Sequence, residues 1–391
     1  MNLYSFTYSV PYIIVFLILC LLSYMESRKA INSNKSFKTC FYILLLFWGC
    51  RGFVGWDWMT YYPMYQIIDK LWDFSSQSFI LIYSADVVSE AIEPGFILYT
   101  SILKTIFDNY HFFIFVNSLI FLIAIGRFIK KYSNNFALSF LVLFAIYQGL
   151  VVDLLRNSLA LSVFLYVMSF KKKPNVFMLI LISLLGISLH KTFIMLIPLF
   201  FLDRIRFPKK IIWIIFILGN VLMLLHIPVA NVFVSILATI SGDNLLTQRL
   251  LNYASSDIYG AGVGITFGYI FRFIMFCLIM NYYDQIRSNP KLVFILNSYL
   301  IYSIVYFCMR DVGIFVDRME MLYCFANVIL YSQMSHIVNY RSLYKYLILM
   351  FCFLRLYVST NDIMYNYMSC FNSITYEEQY SRKKPYADML L

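Results

Sequence analysis

Three arginines and a histidine in or beside apolar stretches are the side chains of this sequence best suited to chemistry. They are Arg51, Arg156, His190 and Arg318. A guanidinium stays charged at any working pH and matches phosphate oxygens with two parallel hydrogen bonds. An ionisable side chain inside a membrane is costly and usually faces a cavity or a charged partner. Several such residues at one membrane depth would therefore indicate an anionic ligand.

The depth of each residue follows from its distance along a helix to basic residues expected at the cytoplasmic surface. At 1.5 Å per residue, Arg156 lies about 22 Å from Lys171, in a hydrocarbon core of about 30 Å. His190 lies about 26 Å from Lys173 on the same count. Both residues are therefore expected in the outer third of the bilayer.

Other polar residues fall at the same level. Arg318 lies about 27 Å from His336, and Arg51 and Glu93 stand at the outer ends of apolar runs. Arg272 lies deeper and could line the base of the same cavity. Together these residues predict one anion-binding cavity that opens towards the outer leaflet.

Each of these residues also has a purely structural interpretation. Arg156 could pair with Asp153 one helical turn away, and His190 could be satisfied by backbone at a helix hairpin. Arg318 has Glu320 and Asp311 nearby as candidate ion-pair partners. The residues themselves leave these alternatives open.

A glycine- and aromatic-rich stretch, residues 51–62, begins the first long polar segment. Glycines let the backbone approach a ligand closely, and aromatic faces suit sugar rings at a membrane surface. The alternative is an ordinary aromatic belt with a snorkelling arginine. The candidate ligand-binding residues of this stretch are Arg51, Gly55, Trp56, Asp57, Trp58 and Tyr62.

The elements that must position these residues are membrane helices. The 391 residues are 61% hydrophobic and 13% charged, and apolar runs fill the chain from end to end. That composition is far from the balance of a soluble globular protein. The net charge of +11 comes mainly from basic residues in short loops between the runs, which is the positive-inside pattern of a membrane protein and argues against a nucleic-acid partner.

The basic clusters predict an all-α polytopic membrane protein, a single domain over residues 1–391 with about twelve transmembrane helices. If every cluster faces the cytoplasm, neighbouring clusters are separated by an even number of spans, and both chain ends lie outside. The predicted spans are 4–24, 39–50, 111–129, 136–152, 154–170, 174–189, 191–202, 211–228, 265–283, 292–308, 317–336 and 343–358.

The apolar stretch 94–107 is the exception to this count. As a span it would leave an odd number of crossings between Lys38 and Arg127, and about 14 residues are short for a core of about 30 Å. We therefore expect it in the outer interface, inside a large outer loop over residues 51–110 that follows the second span. A second outer loop is expected over residues 229–264.

Familiar enzyme and metal-binding motifs are missing from the sequence. It has no HExxH, GxSxG or CxxC motif, and its four histidines are dispersed. Most of the eight cysteines lie within apolar runs, so we interpret them as small hydrophobic residues. We expect no metal, no cofactor and no disulfide framework.

Six short motifs, in order along nearly the whole chain, resemble those of the EpsG-like family, which is similar to the Wzy-type O-antigen and capsule polymerases of bacteria. Residues 51–62 resemble its R-x-x-x-G-x-D-[YW]-x-x-Y signature, with Trp58 where Tyr is commoner. Residues 156–160 resemble the family's helix motif R-[QN]-x-[LI]-A, with Asn157 where Gln is commoner. The five further motifs are Glu93-Pro94-Gly95-Phe96, Leu155-Arg156-Asn157-Ser158-Leu159-Ala160, Ser188-Leu189-His190-Lys191-Thr192, Asp317-Arg318-Met319 and Lys384-Pro385-Tyr386.

The resemblance implies a GT-C-like polysaccharide polymerase in the inner membrane of a bacterium. Such proteins are taken to transfer a growing chain from undecaprenyl pyrophosphate onto the terminal sugar of another lipid-linked unit, at the outer face of that membrane. The implied partners are the lipid-linked oligosaccharide donor and acceptor, membrane lipid, a chain-length regulator and a flippase.

The resemblance also implies a metal-independent glycosyl transfer with lipid pyrophosphate as the leaving group. Arg156 and Arg318, helped by Arg51, would stabilise the charge that grows on the pyrophosphate. The acceptor hydroxyl would be oriented or deprotonated by one of three residues, and the choice among them stays open. They are His190, Asp57 and Glu93.

Two other functions compete with this one. A repeat-unit flippase or polysaccharide exporter would also need arginines that face a cavity, but it would spread its charges through the full membrane depth and show internal repeats. A membrane acyltransferase acting on sugars would use His190 as its base. In the polymerase, Trp56, Trp58 and Tyr62 would be platforms for sugar rings.

Overall fold

The computed structural model describes residues 3–73, 92–170, 174–229, 232, 264–372 and 381–383. Its regular elements there are all helices, beside two isolated backbone bridges, as the all-α prediction requires. Four of these helices are long and apolar enough to cross a membrane. They are Phe6–Ser27, Tyr110–Tyr132, Pro290–Cys308 and Arg341–Thr360.

The chain forms two compact units. The first is drawn from Met1–Pro198 and Lys345–Leu391, and the second from Leu199–Tyr344. Within the described residues, the helices of the first unit before the last long helix are α1 Phe6–Ser27, α2 Ser33–Gly49, α3 Trp58–Ile67, α4 Pro94–Ile106, α5 Tyr110–Tyr132, α6 Phe136–Val152, α7 Leu155–Met168 and α8 Val176–Leu189. The last long helix, Arg341–Thr360, belongs to this unit from Lys345 onwards.

Asparagine side chains begin several helices of the first unit. The Asn109 carboxamide oxygen accepts hydrogen bonds from the amides of His111 and Phe112 at the start of α5. Asn135 and Asn175 accept in the same way at the starts of α6 and α8. These contacts satisfy amides that have no partner within the helix, so the polar breaks between apolar runs fix where each helix starts.

One end of the first unit gathers three segments that are distant in sequence. The amide of Ile363 donates to the Leu3 carbonyl at 2.9 Å, and the amide of Gly55 donates to the Met364 carbonyl at 2.9 Å. The N-terminus, the start of the first loop and the segment after the last long helix therefore lie together. The parity of the predicted spans places these three segments on the same side.

The other end of the first unit carries basic residues and a buried carboxylate. Glu26 accepts hydrogen bonds from the amides of Phe136 and Ala137 at 3.1 and 2.9 Å. The ammonium of Lys345 donates to the hydroxyl of Ser27 at 3.1 Å. The loop after α1, the start of α6 and the start of the last long helix therefore meet at this end.

The helices α3 and α4 are short and pack on each other. They have 10 and 13 residues, which is about 15 and 20 Å of helix against a hydrocarbon core of about 30 Å. The ammonium of Lys104 in α4 donates to the carbonyls of Tyr65 and Ile68 at 2.9 and 2.7 Å, at the end of α3. The apolar stretch 94–107 is thus a short helix that closes the end of its neighbour.

The described helices of the second unit follow the first unit's α8 in the chain. They are α9 Lys209–Leu224, α10 Phe267–Asn281, α11 Tyr283–Ser288, α12 Pro290–Cys308, α13 Gly313–Leu322 and α14 Cys324–Ile337. A 3₁₀ helix, Lys191–Arg204, includes the predicted span 191–202 and runs from the first unit into the second.

The predicted span 317–336 is not one helix. α13 ends at Leu322, Tyr323 leaves helical geometry with φ −94° and ψ 9°, and α14 begins at Cys324. The residues next to the break, Met321-Leu322 before it and Cys324-Phe325 after it, are apolar, so hydropathy alone could not place it.

Parts of the predicted topology lie outside the described residues. The second predicted outer loop, 229–264, is described only at residues 229, 232 and 264, and the Lys384-Pro385-Tyr386 motif is not described. The count of twelve spans and the two outer loops stay predictions.

Candidate active site

Glu93, Arg156 and His190 come together in the first unit, although 97 residues separate the first from the last. One oxygen of the Glu93 carboxylate, Oε1, lies 2.7 Å from Nδ1 of His190. The other, Oε2, accepts from Nη1 of Arg156 at 3.0 Å. A single carboxylate therefore joins three residues that the sequence named separately.

Three different helix ends bring these side chains together. Glu93 directly precedes α4, Arg156 lies in the first turn of α7, and His190 follows the last residue of α8. Gly95 allows the approach, since a Cβ there would lie 2.3 Å from Oγ and 2.7 Å from the carbonyl oxygen of Ser188. The glycine of the Glu-Pro-Gly motif is thus needed where α4 begins against the end of α8.

Further hydrogen bonds hold the segment after His190 in place. The amide of Lys191 donates to Oε1 of Glu93 at 3.2 Å. The hydroxyl of Thr192 donates to the side-chain oxygen of Asn157 at 2.7 Å. The residues beside His190 and beside Arg156 are therefore tied to each other as well as through Glu93.

The environment of Glu93 keeps its carboxylate ionised. Burial works to raise its pKa, but the hydrogen bond and charge of His190, the charge of Arg156 and the amide of Lys191 lower the pKa from 4.5 to about 2. A carboxylate with so low a pKa is a poor proton acceptor. Glu93 is therefore suited to orient its neighbours rather than to remove a proton.

Arg156 and His190 remain partly accessible at this site. Their side chains are 16% and 15% exposed, whereas that of Glu93 is 4% exposed. Among the residues that the structure describes, His190 has no hydrogen-bond partner at Nε2. With Nδ1 engaged by a carboxylate, Nε2 is the ring nitrogen that can exchange a proton with a substrate.

The simpler interpretation of Arg156, a helical pair with Asp153, is wrong in this structure. Oδ1 of Asp153 accepts from the amides of Trp56 and Asp57 at 2.6 and 3.3 Å, and its other oxygen accepts from the hydroxyl of Tyr365. Asp153 is thus turned towards the first loop. Arg156 is turned towards Glu93.

Gly55 lets the first loop pass close to Asp153. Its φ is +89°, a conformation that L side chains rarely adopt, and a Cβ there would lie 2.1 Å from Oδ1 of Asp153. The following residues, Trp56 and Asp57, then donate their amides to the same oxygen. Gly55, which the sequence predicts as a ligand-binding residue, thus permits this close contact of the backbone with Asp153.

Arg51 is buried and bonded to backbone. It is 2% exposed, and its guanidinium donates to the carbonyls of Trp48 and Val151 and to the hydroxyl of Ser118, at 2.5, 2.7 and 3.1 Å. This is the geometry of an anchor that joins the end of α2 to α5 and α6. A contact with a phosphate would require some of these bonds to break.

The aromatic residues of the first loop divide by burial. Trp58 is 4% exposed and packs against Phe53, with ring centroids 5.0 Å apart. Trp56 and Tyr62 are only partly buried against the same core, and Asp57 is half-buried. Of the three predicted sugar platforms, Trp56 and Tyr62 therefore keep accessible surface.

The remaining predicted site residues lie in the second unit. Arg272 is buried and forms an ion pair with Glu320, and its Nε donates to the hydroxyl of Tyr302 at 3.0 Å. Arg318 is half-buried, and no described residue forms a hydrogen bond or an ion pair with it. Glu320, one of the two expected structural partners of Arg318, is thus paired with Arg272.

Sequence reasoning gave no role to several residues that build the site. The hydroxyl of Tyr61 accepts a hydrogen bond from the Arg156 amide at 3.5 Å, and Asn157 pairs with Thr192. These residues lie inside the quoted motifs, but their spacing in the sequence does not reveal their partners.

Within the described ranges, no group of three or more His, Cys, Asp or Glu side chains could hold a metal ion.

A sequence model of the EpsG family matches residues 34–373, which include the Glu93, Arg156 and His190 motifs. No curated protein and no solved structure matches.

Proposed function

This chain belongs to the EpsG family of Wzy-like polymerases, and we propose that it joins lipid-linked repeat units into a polysaccharide at the outer face of a bacterial inner membrane. Family membership and the apolar helices make it a polysaccharide polymerase-type membrane protein. The substrate, the chemistry and the roles of individual residues are the proposal.

The proposed reaction is a glycosyl transfer between two lipid-linked saccharides. The donor is the growing chain on undecaprenyl pyrophosphate, and the acceptor is a hydroxyl on the terminal sugar of another unit. The acceptor oxygen bonds to the anomeric carbon of the donor, and the bond from that carbon to the pyrophosphate oxygen breaks. The lipid pyrophosphate leaves with the electron pair, and the hydroxyl proton passes to Nε2 of His190.

The contact between Glu93 and His190 carries the proposal. The carboxylate holds Nδ1 at 2.7 Å, which fixes the orientation of the ring and supports positive charge on it when Nε2 accepts a proton. Of the three candidates for the base, His190 is therefore the one we assign. Glu93 is the positioning residue, because its low pKa keeps it ionised.

Arg156 is assigned to the pyrophosphate. Its guanidinium is held by Glu93 beside His190 and is partly accessible, so leaving-group stabilisation and proton removal would take place in one site. Arg318 is the second candidate for this role. A half-buried guanidinium without a partner among the described residues favours an anion from outside the chain.

The proposed topology keeps about twelve spans and puts residues 51–110 outside as a loop after the second span. The meeting of Leu3, Gly55 and Met364 at one end of the first unit supports it, as does the shortness of α3 and α4.

Trp56 and Tyr62 are assigned to the sugar rings of the substrate. A flippase that delivers units and a chain-length regulator are the proposed protein partners.

A deletion strain tests the function in the cell. The proposal expects loss of long glycan chains while single repeat units are still made and displayed, and recovery of long chains with wild-type protein but not with His190→Gln. Loss of single units from the surface would favour an exporter or flippase. Chains of normal length with less acylation would favour the acyltransferase.

A further inference from the structure

The segment after the last long helix lies across the start of the first loop. We call residues 361–372 the C-terminal strap. Its carbonyls accept hydrogen bonds from the first loop, from the Gly55 amide to Met364 at 2.9 Å and from the Gly52 amide to Met368 at 2.7 Å. The strap is therefore joined to the loop by backbone contacts along its length.

Cys50 and Cys370 stand opposite each other in this pairing. Arg51 and Ser369 form an isolated antiparallel bridge. One hydrogen bond beside it is that from Gly52 to the strap, and on the other side the amide of Cys370 donates to the Cys50 carbonyl at 2.8 Å. Opposite residues that are joined by a backbone hydrogen bond in an antiparallel pairing have Cα atoms about 5.5 Å apart, and disulfides have Cα atoms most often about 5.5–6 Å apart.

The two thiols also meet. Both cysteines are unbonded and partly exposed. Burial raises the pKa of the Cys370 thiol, and the neighbouring Cys50 side chain raises it further. The backbone and the side chains therefore agree on one close pair of thiols that small reagents can reach.

The pair lies at the end of the first unit where the N-terminus meets the first loop. Under the proposed topology this end faces the outside of the inner membrane. Disulfides form and persist in oxidising compartments outside the cytoplasm, where glutathione and thioredoxin do not keep thiols reduced.

We propose that Cys50 and Cys370 form a disulfide on the outer face, which fastens the C-terminal strap to the first loop. The proposal rests on the outer-face placement within the proposed function and not on the reaction. The oxidant is an external disulfide. The thiolate of one cysteine attacks it, a mixed disulfide forms and one external thiol leaves.

The second cysteine then completes the exchange. It loses its proton, its sulfur attacks the mixed disulfide, and the second external thiol leaves. Two electrons and two protons thus pass from the cysteine pair to the external disulfide, which becomes two thiols.

The bond would support the candidate active site through the strap. The Tyr365 hydroxyl of the strap donates to Asp153, and Asp153 holds the amides of Trp56 and Asp57. Tyr61, one turn further along, contacts the Arg156 amide. Fastening the strap therefore restrains the loop that leads to Arg156.

The first test uses the native chain with all eight cysteines. Cells are quenched with an alkylating reagent, and peptides of the membrane protein are analysed by mass spectrometry without and with reduction. We expect a linked peptide pair that contains Cys50 and Cys370 and disappears on reduction. Recovery of both cysteines as alkylated peptides without reduction would overturn the proposal.

A second test guards against loss or rearrangement of the bond during preparation. Full-length variants keep only two cysteines, either Cys50 with Cys370 or, as the matched control, Cys20 with Cys370. After treatment with oxidised glutathione, the protein is denatured and reacted with maleimide coupled to a large polymer. Each free thiol then adds one polymer chain, which is counted from the shift on a gel. The first pair should add none before reduction and two after it, with no bound glutathione in its intact mass. The control should carry free thiols or bound glutathione, which its intact mass shows. Two additions before reduction for Cys50 with Cys370 would overturn the proposal.

Neither readout depends on polymer synthesis. A linked pair in a chain that makes no polymer would contradict the proposed function alone. Unlinked thiols in an active polymerase would contradict the disulfide alone.

Discussion

Oε1 of Glu93 lies 2.7 Å from Nδ1 of His190, and Oε2 of the same carboxylate lies 3.0 Å from Nη1 of Arg156. The start of one helix thus fixes a histidine from the end of a second helix and an arginine from the start of a third. Because the carboxylate engages Nδ1, the geometry assigns Nε2 to the substrate.

Acid should weaken this contact only well below neutral pH. The neighbours of Glu93 lower its pKa from 4.5 to about 2, so the ionised carboxylate stabilises the folded state by roughly 3 kcal/mol. This stabilisation is complete above pH 4.5 and is lost as the pH falls through that value towards 2. Thermal unfolding of purified protein in detergent, followed over this range for wild type and Glu93→Gln, measures it.

Wild type should be the more stable protein at neutral pH, and the difference between the two should shrink as the pH falls below 4.5. Glu93→Gln is the suitable variant because it keeps the size of the side chain and removes its charge. A difference that stays constant across the range would contradict the assignment.

Arg156→Lys should lose most of the activity at normal membrane levels. An ammonium keeps the charge but not the planar fork that contacts carboxylate and phosphate oxygens together. Loss of a contact made mainly in the transition state costs on the order of 10²–10³ in rate. The measurement is polymer length at matched expression. Arg127→Lys is the control, because Arg127 contacts Ser169 at the end of α7, whereas Arg156 lies at the start of that helix. Wild-type polymer from Arg156→Lys would end the pyrophosphate assignment.

Apolar runs predicted most helices closely, but they did not predict which polar side chains contact each other. The predicted spans 111–129 and 136–152 correspond to α5 and α6, because each helix is one apolar run, and the structure shows an asparagine cap where each begins. The partner of Arg156 was missed because Glu93 is 63 residues away, whereas Asp153 is one turn away. A contact across a long loop leaves no periodic signal in one sequence.

The close approach of Cys50 and Cys370 was missed for the same reason. The two cysteines are separated by most of the chain, so the sequence shows no sign that they meet, and we interpreted both as small hydrophobic residues. The sequence also did not show which of the predicted site residues are buried. Arg51 and Trp58 read as ligand-binding residues because of their types, whereas the structure leaves each 4% exposed or less.

Gly55→Ala should destabilise the protein and reduce its amount in the membrane. The residue has φ +89°, and a Cβ would lie 2.1 Å from Asp153 Oδ1, so the loop or the carboxylate must move. Backbone strain of this kind costs about 1–3 kcal/mol. Gly149→Ala is the matched control, since its Cβ would meet Tyr365 and Asp153 at ordinary distances of 3.8 and 3.9 Å. Equal melting temperatures for the two variants would contradict the prediction.

Labelling should place α3 and α4 outside the membrane. Asp108 follows α4 and is exposed, and Asn34 is exposed near the start of α2, at the end of the first unit that we assign to the cytoplasm. In a background without other cysteines, Asp108→Cys should react with an impermeant maleimide in spheroplasts, and Asn34→Cys should react only after permeabilisation. The reverse pattern, or protection of both, would show that the stretch 94–107 crosses the membrane or that the orientation is wrong.

The central claim is tested most directly by polymerisation with purified components. Wild-type protein and His190→Gln are reconstituted in lipid and given a defined repeat unit on undecaprenyl pyrophosphate, with excess chelator present. We expect wild type to produce a ladder of products that differ by one repeat, with one lipid pyrophosphate released for each new bond, and His190→Gln to leave the substrate unextended. A wild-type protein that binds the substrate without extending it, or a His190→Gln variant that makes the same ladder, would contradict the account.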